Sequence, residues 1–125
     1  MQNQNSKLKT DLQDRTYQYS IKILQFLDSL PKDATIQVIV NQLVRSATSI
    51  GANVVEAKAS SSRKDFTNFF NHSLKSANES CYWLRLLRDA KQIKRPELDG
   101  LLDETRQLAN ILASSILTLK GKRSF

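Results

Sequence analysis

Glycine and proline are scarce in this 125-residue chain, three of one and two of the other. Sheet-rich and loop-rich architectures use both freely to reverse direction, so such architectures are excluded. A single cysteine, Cys81, excludes an internal disulfide and fits a reducing cytoplasm. No basic-then-apolar leader opens the chain, and no apolar run approaches the ~18 residues a membrane span needs. A soluble cytoplasmic protein with no membrane partner is expected. His72 is the lone histidine, lies off the apolar face of its helix and reads as solvated. Neither GxxxxGK[ST] nor GxGxxG occurs. Four-helix bundles can hold two metals through Glu-x-x-His motifs, but Glu79-Ser80-Cys81-Tyr82 lacks the histidine. Cys81 falls on an apolar helix face and reads as a buried structural thiol. Thr48-Ser49-Ile50-Gly51 lacks the glycine frame of a nucleophile elbow. No catalysis, metal or cofactor is expected.

Positive charge is abundant: 19 Lys and Arg against 12 Asp and Glu give a net charge of +7 and a pI near 9.8. That balance suits an anionic partner, or simply solubility. The apolar residues recur with helical spacing. Residues 1–9 are expected to be frayed, with a first helix starting near Thr10 or Asp11 and running to about Ser29. Leu12, Tyr19, Ile23, Phe26, Leu27 and Leu30 share one arc of roughly 100°. Tyr17, Ile21 and Leu24 make a second apolar strip. Pro31 stops this helix, because the residue before proline avoids helical angles. Asp33 then caps a second helix running to about Lys58. The Ala59–Ser62 break follows, and Ser62 with Asp65 resembles a capping box at the start of a third helix, which runs to about Lys91. Phe66, Phe70, Ala77, Cys81 and Leu84 share its core face, with Ser73 and Ser80 small enough for close packing or back-bonding to the preceding turn. Pro96 opens a fourth helix to about Leu119, with core residues Leu98, Leu101, Leu102, Leu108, Ala109, Leu112, Ile116 and Leu119. Gly121 is expected to stop it, leaving 120–125 as a basic tail. Short links between four amphipathic helices make this an all-α, antiparallel up-down-up-down four-helix bundle, one domain over residues 1–125.

The second helix organises the rest. Ile36, Leu43, Ala47, Ile50, Gly51 and Val54 lie on one side, while Gln42, Arg45, Ser49, Asn53 and Glu56 recur at three and four on the other. Gly51 on the apolar side implies either close approach of another helix or a kink, and close approach is preferred. The polar stripe is either a solvated face or a contact between subunits. Its shortage of Lys and Glu favours the contact. Tyr82 and Leu86 point away from the core beside Trp83, a protein–protein anchor. The expected interface is therefore Arg45, Ser49, Asn53, Glu56, Tyr82, Trp83 and Leu86. Cations cluster at Lys58, Arg63 and Lys64 and, about 40 Å away at 1.5 Å per residue, at Arg85, Arg88, Lys91, Lys94 and Arg95. Lys120, Lys122 and Arg123 join the first group. These are the candidate nucleic-acid contacts. No base-reading motif accompanies them, so RNA or DNA would be bound by shape and charge.

Residues 42–56 (QLVRSATSIGANVVE), 64–70 (KDFTNFF) and 79–87 (ESCYWLRLL) resemble the bacterial four-helix bundle family of 23S rRNA intervening-sequence proteins. The pattern is carried by Leu43, Arg45, Ser46, Ser49, Ile50, Gly51, Ala52 and Asn53. The resemblance covers most of the chain, from residue 14 through the fourth helix. It implies a left-handed antiparallel bundle and a homopentamer. More distantly, the family is similar to the accessory variability determinant of diversity-generating retroelements, a basic pentameric bundle. That likeness implies nucleic acid and a reverse transcriptase or other protein as partners. The expected function is a non-enzymatic homo-oligomeric bundle that binds RNA or DNA through basic surfaces. The alternative is an assembly adaptor that docks another protein.

Overall fold

The computed structural model describes the backbone of residues 4–123 and the side chains of residues 12–121. Four helices follow one another: α1 (Gln4–Asp28), α2 (Ala34–Ala59), α3 (Arg63–Asp89) and α4 (Pro96–Arg123). Each packs on its sequence neighbours, and α1 closes the ring against α4. This is the antiparallel four-helix bundle that the periodicity predicts. Tyr19, Ile23, Leu43, Ala47, Ile50, Leu84, Leu87, Leu98, Leu102, Leu108 and Leu112 form its buried axis. The predicted faces hold, except that Leu12, Phe66, Cys81, Ala109 and Leu119 are only half-buried.

The helix starts follow local chemistry. Asp33 Oδ1 accepts from the backbone N–H groups of Thr35 (2.9 Å) and Ile36 (3.0 Å). Ser62 Oγ accepts from Asp65 N at 3.1 Å. Each bond satisfies an amide that the first turn leaves without an intrahelical partner.

The ends depart from expectation in three places. The helical backbone begins at Gln4 rather than near Thr10, because no Pro or Gly interrupts the polar stretch and a helix already nucleated by packing propagates outward. Gly121 does not stop α4, which continues to Arg123. A glycine stop needs left-handed backbone, and no described glycine has positive φ. Finally, α3 ends at Asp89, two residues early. Gln92 takes φ 57°, the chain reverses, and Ile93 N–H reaches Leu87 O at 3.1 Å. That turn drives Ile93 into the core, although its sequence position suggests only a connection.

Gly51 permits close approach, as preferred. A Cβ at this position would lie 3.2 Å from Thr16 Oγ1, 3.3 Å from Thr16 Cβ and 3.4 Å from the Thr16 carbonyl oxygen. On the other flank of α2, hydroxyls set the spacing to α3. Ser73 Oγ donates to Ile50 O at 2.8 Å, and Ser80 Oγ lies 2.9 Å from Ser46 Oγ. Small residues let the two backbones approach, and the hydroxyls are satisfied across the seam.

Candidate functional site

The middle of α2 lies between two open grooves. One, of about 610 Å³, runs between α2 and α3 and is lined by Gln42, Arg45, Ser46, Thr48, Ser49, Ala52, Ser76 and Glu79. The other, of about 590 Å³, runs between α1 and α2, with Gly51, Thr16 and Ser20 in its lining beside Tyr17 and Val55. Thr48 and Ala52 border both, so α2 forms a low ridge of small side chains with a trough on each side. Small residues are what α2 needs to pack closely on α1 and α3, and the troughs are the external result.

Gln42, Arg45 and Ser49 of the predicted polar stripe line the first trough, and Asn53 and Glu56 continue it beyond. Ser49 and Asn53 are half-buried, and Arg45 and Glu56 are exposed. Asn53 Nδ2 donates to Ser49 O (2.8 Å) and Ser49 Oγ (2.9 Å), and Ser76 Oγ on α3 donates to Ser49 Oγ at 3.0 Å. On the outer face of α3, Tyr82 is 55% exposed and meets Trp83 edge-on at 5.0 Å between ring centres. Leu86 is half-buried. Trp83 Nε1 donates to Glu79 Oε2 at 2.9 Å. Glu79 thus joins the polar trough to the aromatic patch, a link that sequence reading missed.

The structure separates the predicted cations by what they do. Arg88 pairs with Asp89 at 2.7 Å. Lys91 Nζ donates to Thr35 Oγ1 at 2.7 Å and lies 3.4 Å from Asp33 Oδ1. Arg95 donates to Ser29 Oγ at 2.8 Å. Lys91 and Arg95 therefore fasten the α3–α4 connection to the α1–α2 turn. The backbone amide of Ile36, the Thr35 hydroxyl and Lys91 lower the Asp33 pKa to about 2. Arg88 likewise holds the Asp89 carboxyl below its usual range, with Lys94 and Arg85 adding to the effect. At the opposite end, Lys58 donates to Gln13 Oε1 at 3.1 Å. The side chains of Arg63 and Lys64 stand exposed with no hydrogen bond or ion pair among the described residues. Lys120 is exposed in the last turns of α4, and the side chains of Lys122 and Arg123 lie outside the described residues.

Two polar features went unforeseen. Arg15 on α1 grips Glu104 on α4 with two parallel bonds of 2.7 and 2.8 Å, and also reaches Gln107 Oε1 at 2.7 Å. Deeper in, Tyr19 Oη and Thr105 Oγ1 lie 2.6 Å apart. Burial pushes the Tyr19 phenol pKa well up, and Thr105 and Ser80 oppose that by hydrogen bonding. Cys81 is half-buried rather than buried, because it packs against the edge of the core and not within it. Burial still raises its pKa, against the opposing charges of Arg106 and Arg85. Among the described residues no group of three or more His, Cys, Asp or Glu is placed to hold a metal ion. No helix there is long and apolar enough to cross a membrane.

Fold and surfaces together define an all-α bundle that presents grooves, an aromatic patch and charged ends on its outside. The family model of the 23S rRNA-intervening sequence protein matches residues 9–114, and the chain belongs to that family. Its structure is similar to the crystal structure of a protein of unknown function from the S23 ribosomal protein family of Bacteroides thetaiotaomicron. The two share 34% identity and a TM-score of 0.77, over 84% of this chain and 97% of that one. No curated protein matches the chain.

Proposed function

We propose that this protein is a non-enzymatic, self-associating helical bundle that binds RNA or DNA through phosphates, without reading bases. One observation carries the reading: the positive charge is not absorbed internally. Ion pairs among the described residues engage Arg15, Arg88 and Lys91. Arg45, Arg63 and Lys64 remain exposed with no such partner, on a chain of net charge +7. Unpaired surface cations release condensed counterions when they meet a polyanion. Copies of the chain associate through the α2 ridge and the trough bearing Arg45 and Ser49, with Asn53 bonded to Ser49 beside it. Assembly as a homopentamer multiplies each subunit's weak phosphate contacts. The test measures solution mass and, on the same sample, binding to structured RNA and duplex DNA across a salt series. Salt-sensitive binding by an assembled species is expected. An assembled species that binds neither polymer at low salt overturns the nucleic-acid reading.

A second reading is supported by the exposure of Tyr82 and its edge-on packing against Trp83: an adaptor that docks another protein at that patch. Tyr82→Ala with Leu86→Ala separates the two readings in a variant whose solution mass is unchanged. Phosphate binding survives the change, and capture of a protein ligand does not.

A further inference from the structure

Resting on the nucleic-acid reading above, we infer that the phosphate-binding surface is confined to one end of the bundle, the end bearing the α2–α3 turn. The cations of the opposite end are largely offset by its own carboxylates. The two ends look alike in sequence, since each gathers several cations. They differ in what surrounds those cations.

At the end formed by the α1–α2 turn and the α3–α4 connection, two cations face acids and Arg95 is bound to the neutral Ser29. Arg88 pairs with Asp89, and Lys91 lies against Asp33. Arg85 and Lys94, which make no direct pair, still act on Asp89 through space. Both helix N-termini there carry their own negative charge. Asp33 caps α2, and α4 opens on Pro96, which has no N–H, with Glu97 and Asp99 in its first turn. A helix N-terminus already matched by carboxylates has little field left for a phosphate.

The other end is built the opposite way. A neutral serine, Ser62, caps α3. Arg63 and Lys64 follow it directly, their side chains exposed and unengaged, with Asp65 the one acid of that turn. Lys58 closes α2 beside them, tied only to the neutral Gln13. The first turn of α1, which the antiparallel order places at this end, contains no acidic residue. The chain of α4 runs out here through Lys120, Lys122 and Arg123. A helix N-terminus with a single acid in its first turn coincides with the unengaged Arg63 and Lys64, which is the arrangement a phosphate backbone fits.

The experiment compares two charge reversals in the full-length protein by fluorescence anisotropy with a short RNA duplex and the matching DNA duplex over a salt series. Arg63→Glu with Lys64→Glu alters the α2–α3 end. Arg85→Glu with Lys94→Glu alters the other end without touching the Lys91 and Arg95 fastenings. Acids in the first turn of α3 favour that helix, so loss of binding in the first variant would not come from a weakened fold. Arg63→Gln with Lys64→Gln and Arg85→Gln with Lys94→Gln serve as milder pairs, and melting curves check all four. The first pair is expected to weaken binding about tenfold or more and to flatten the salt slope, while the second changes affinity by less than about threefold. Equal loss from both ends, or the greater loss from the Arg85 and Lys94 end, overturns the inference and leaves the nucleic-acid reading intact. Absence of binding by the unmodified, assembled protein at low salt overturns both.

Discussion

At the scale of the residue, the buried hydroxyls are the least ordinary part of the core. Tyr19, Ser73, Ser80, Ser46 and Thr105 are sealed among leucines, and each is satisfied by a partner on a neighbouring helix or its own preceding turn. Tyr19→Phe removes the 2.6 Å bond to Thr105 and leaves Thr105 still donating to Leu101 O at 2.6 Å. The expected loss in urea unfolding at neutral pH is about 1 kcal/mol. The same variant tests the raised phenol pKa. Below the ordinary tyrosine value both folded and unfolded chains keep the proton. As pH rises through it, the unfolded chain sheds a proton that the folded one retains. Tyr19 therefore contributes a fall in stability of up to about 1.4 kcal/mol per pH unit above roughly pH 10. The phenylalanine variant should fall less steeply there; parallel alkaline curves would refute the assignment. Two glycines make a second comparison. Gly51→Ala puts a methyl 3.2–3.4 Å from Thr16, including a backbone oxygen that cannot rotate away. Overpacking then outweighs the gain in helix propensity, for a net loss of about 1 kcal/mol. Gly100→Ala on α4 meets nothing within 4 Å and should gain about 0.5–1 kcal/mol. Melting of both variants checks the opposite signs.

At the scale of the element, the starts of α2, α3 and α4 were legible, and the ends of α3 and α4 were not. Asp33, Ser62 and Pro96 announce a start by chemistry confined to one turn, and all three sit at or beside the observed N-termini. An end depends on where the chain must go next. Gly121 is competent to stop a helix and does not, whereas Gln92, with no such reputation, takes the left-handed turn because Ile93 has a place in the core. Gln92→Gly should relieve the side-chain strain of that conformation. After the flexibility glycine adds to the unfolded chain, a gain of about 0.5 kcal/mol remains, while β-branched Gln92→Val should lose stability. Chemical unfolding of the pair reads both. The Arg15–Glu104 grip and the Lys91–Asp33 fastening were invisible for a related reason. Each joins segments far apart in sequence, and their meeting depends on the relative register of whole helices, which no local pattern encodes. The polar stripe on α2 was legible as a stripe; that Ser76 and Glu79 complete it from α3 was not.

At the scale of the whole molecule, charge and assembly make one argument. A ring with cyclic symmetry carries every subunit in the same sense relative to its axis. If the helices run along that axis, all α2–α3 turns emerge on one side, and Arg63 and Lys64 repeat around it. A polyanion lying across that side would meet cations from several subunits, and the slope of log affinity against log salt counts the phosphates engaged, at about 0.7 to 0.9 per contact. A variant that no longer assembles should therefore bind with both lower affinity and a shallower slope. Ala52→Arg is the change of choice. Ala52 is exposed on the ridge that borders both α2 grooves, so a long charged side chain there obstructs docking while leaving the core untouched. It also adds a positive charge, which by itself would steepen the salt dependence. A shallower slope in a species of monomer mass, with an unchanged melting temperature of the isolated bundle, can then come only from fewer subunits sharing the polymer. An unchanged mass would show that the α2 ridge is not where copies of this chain meet.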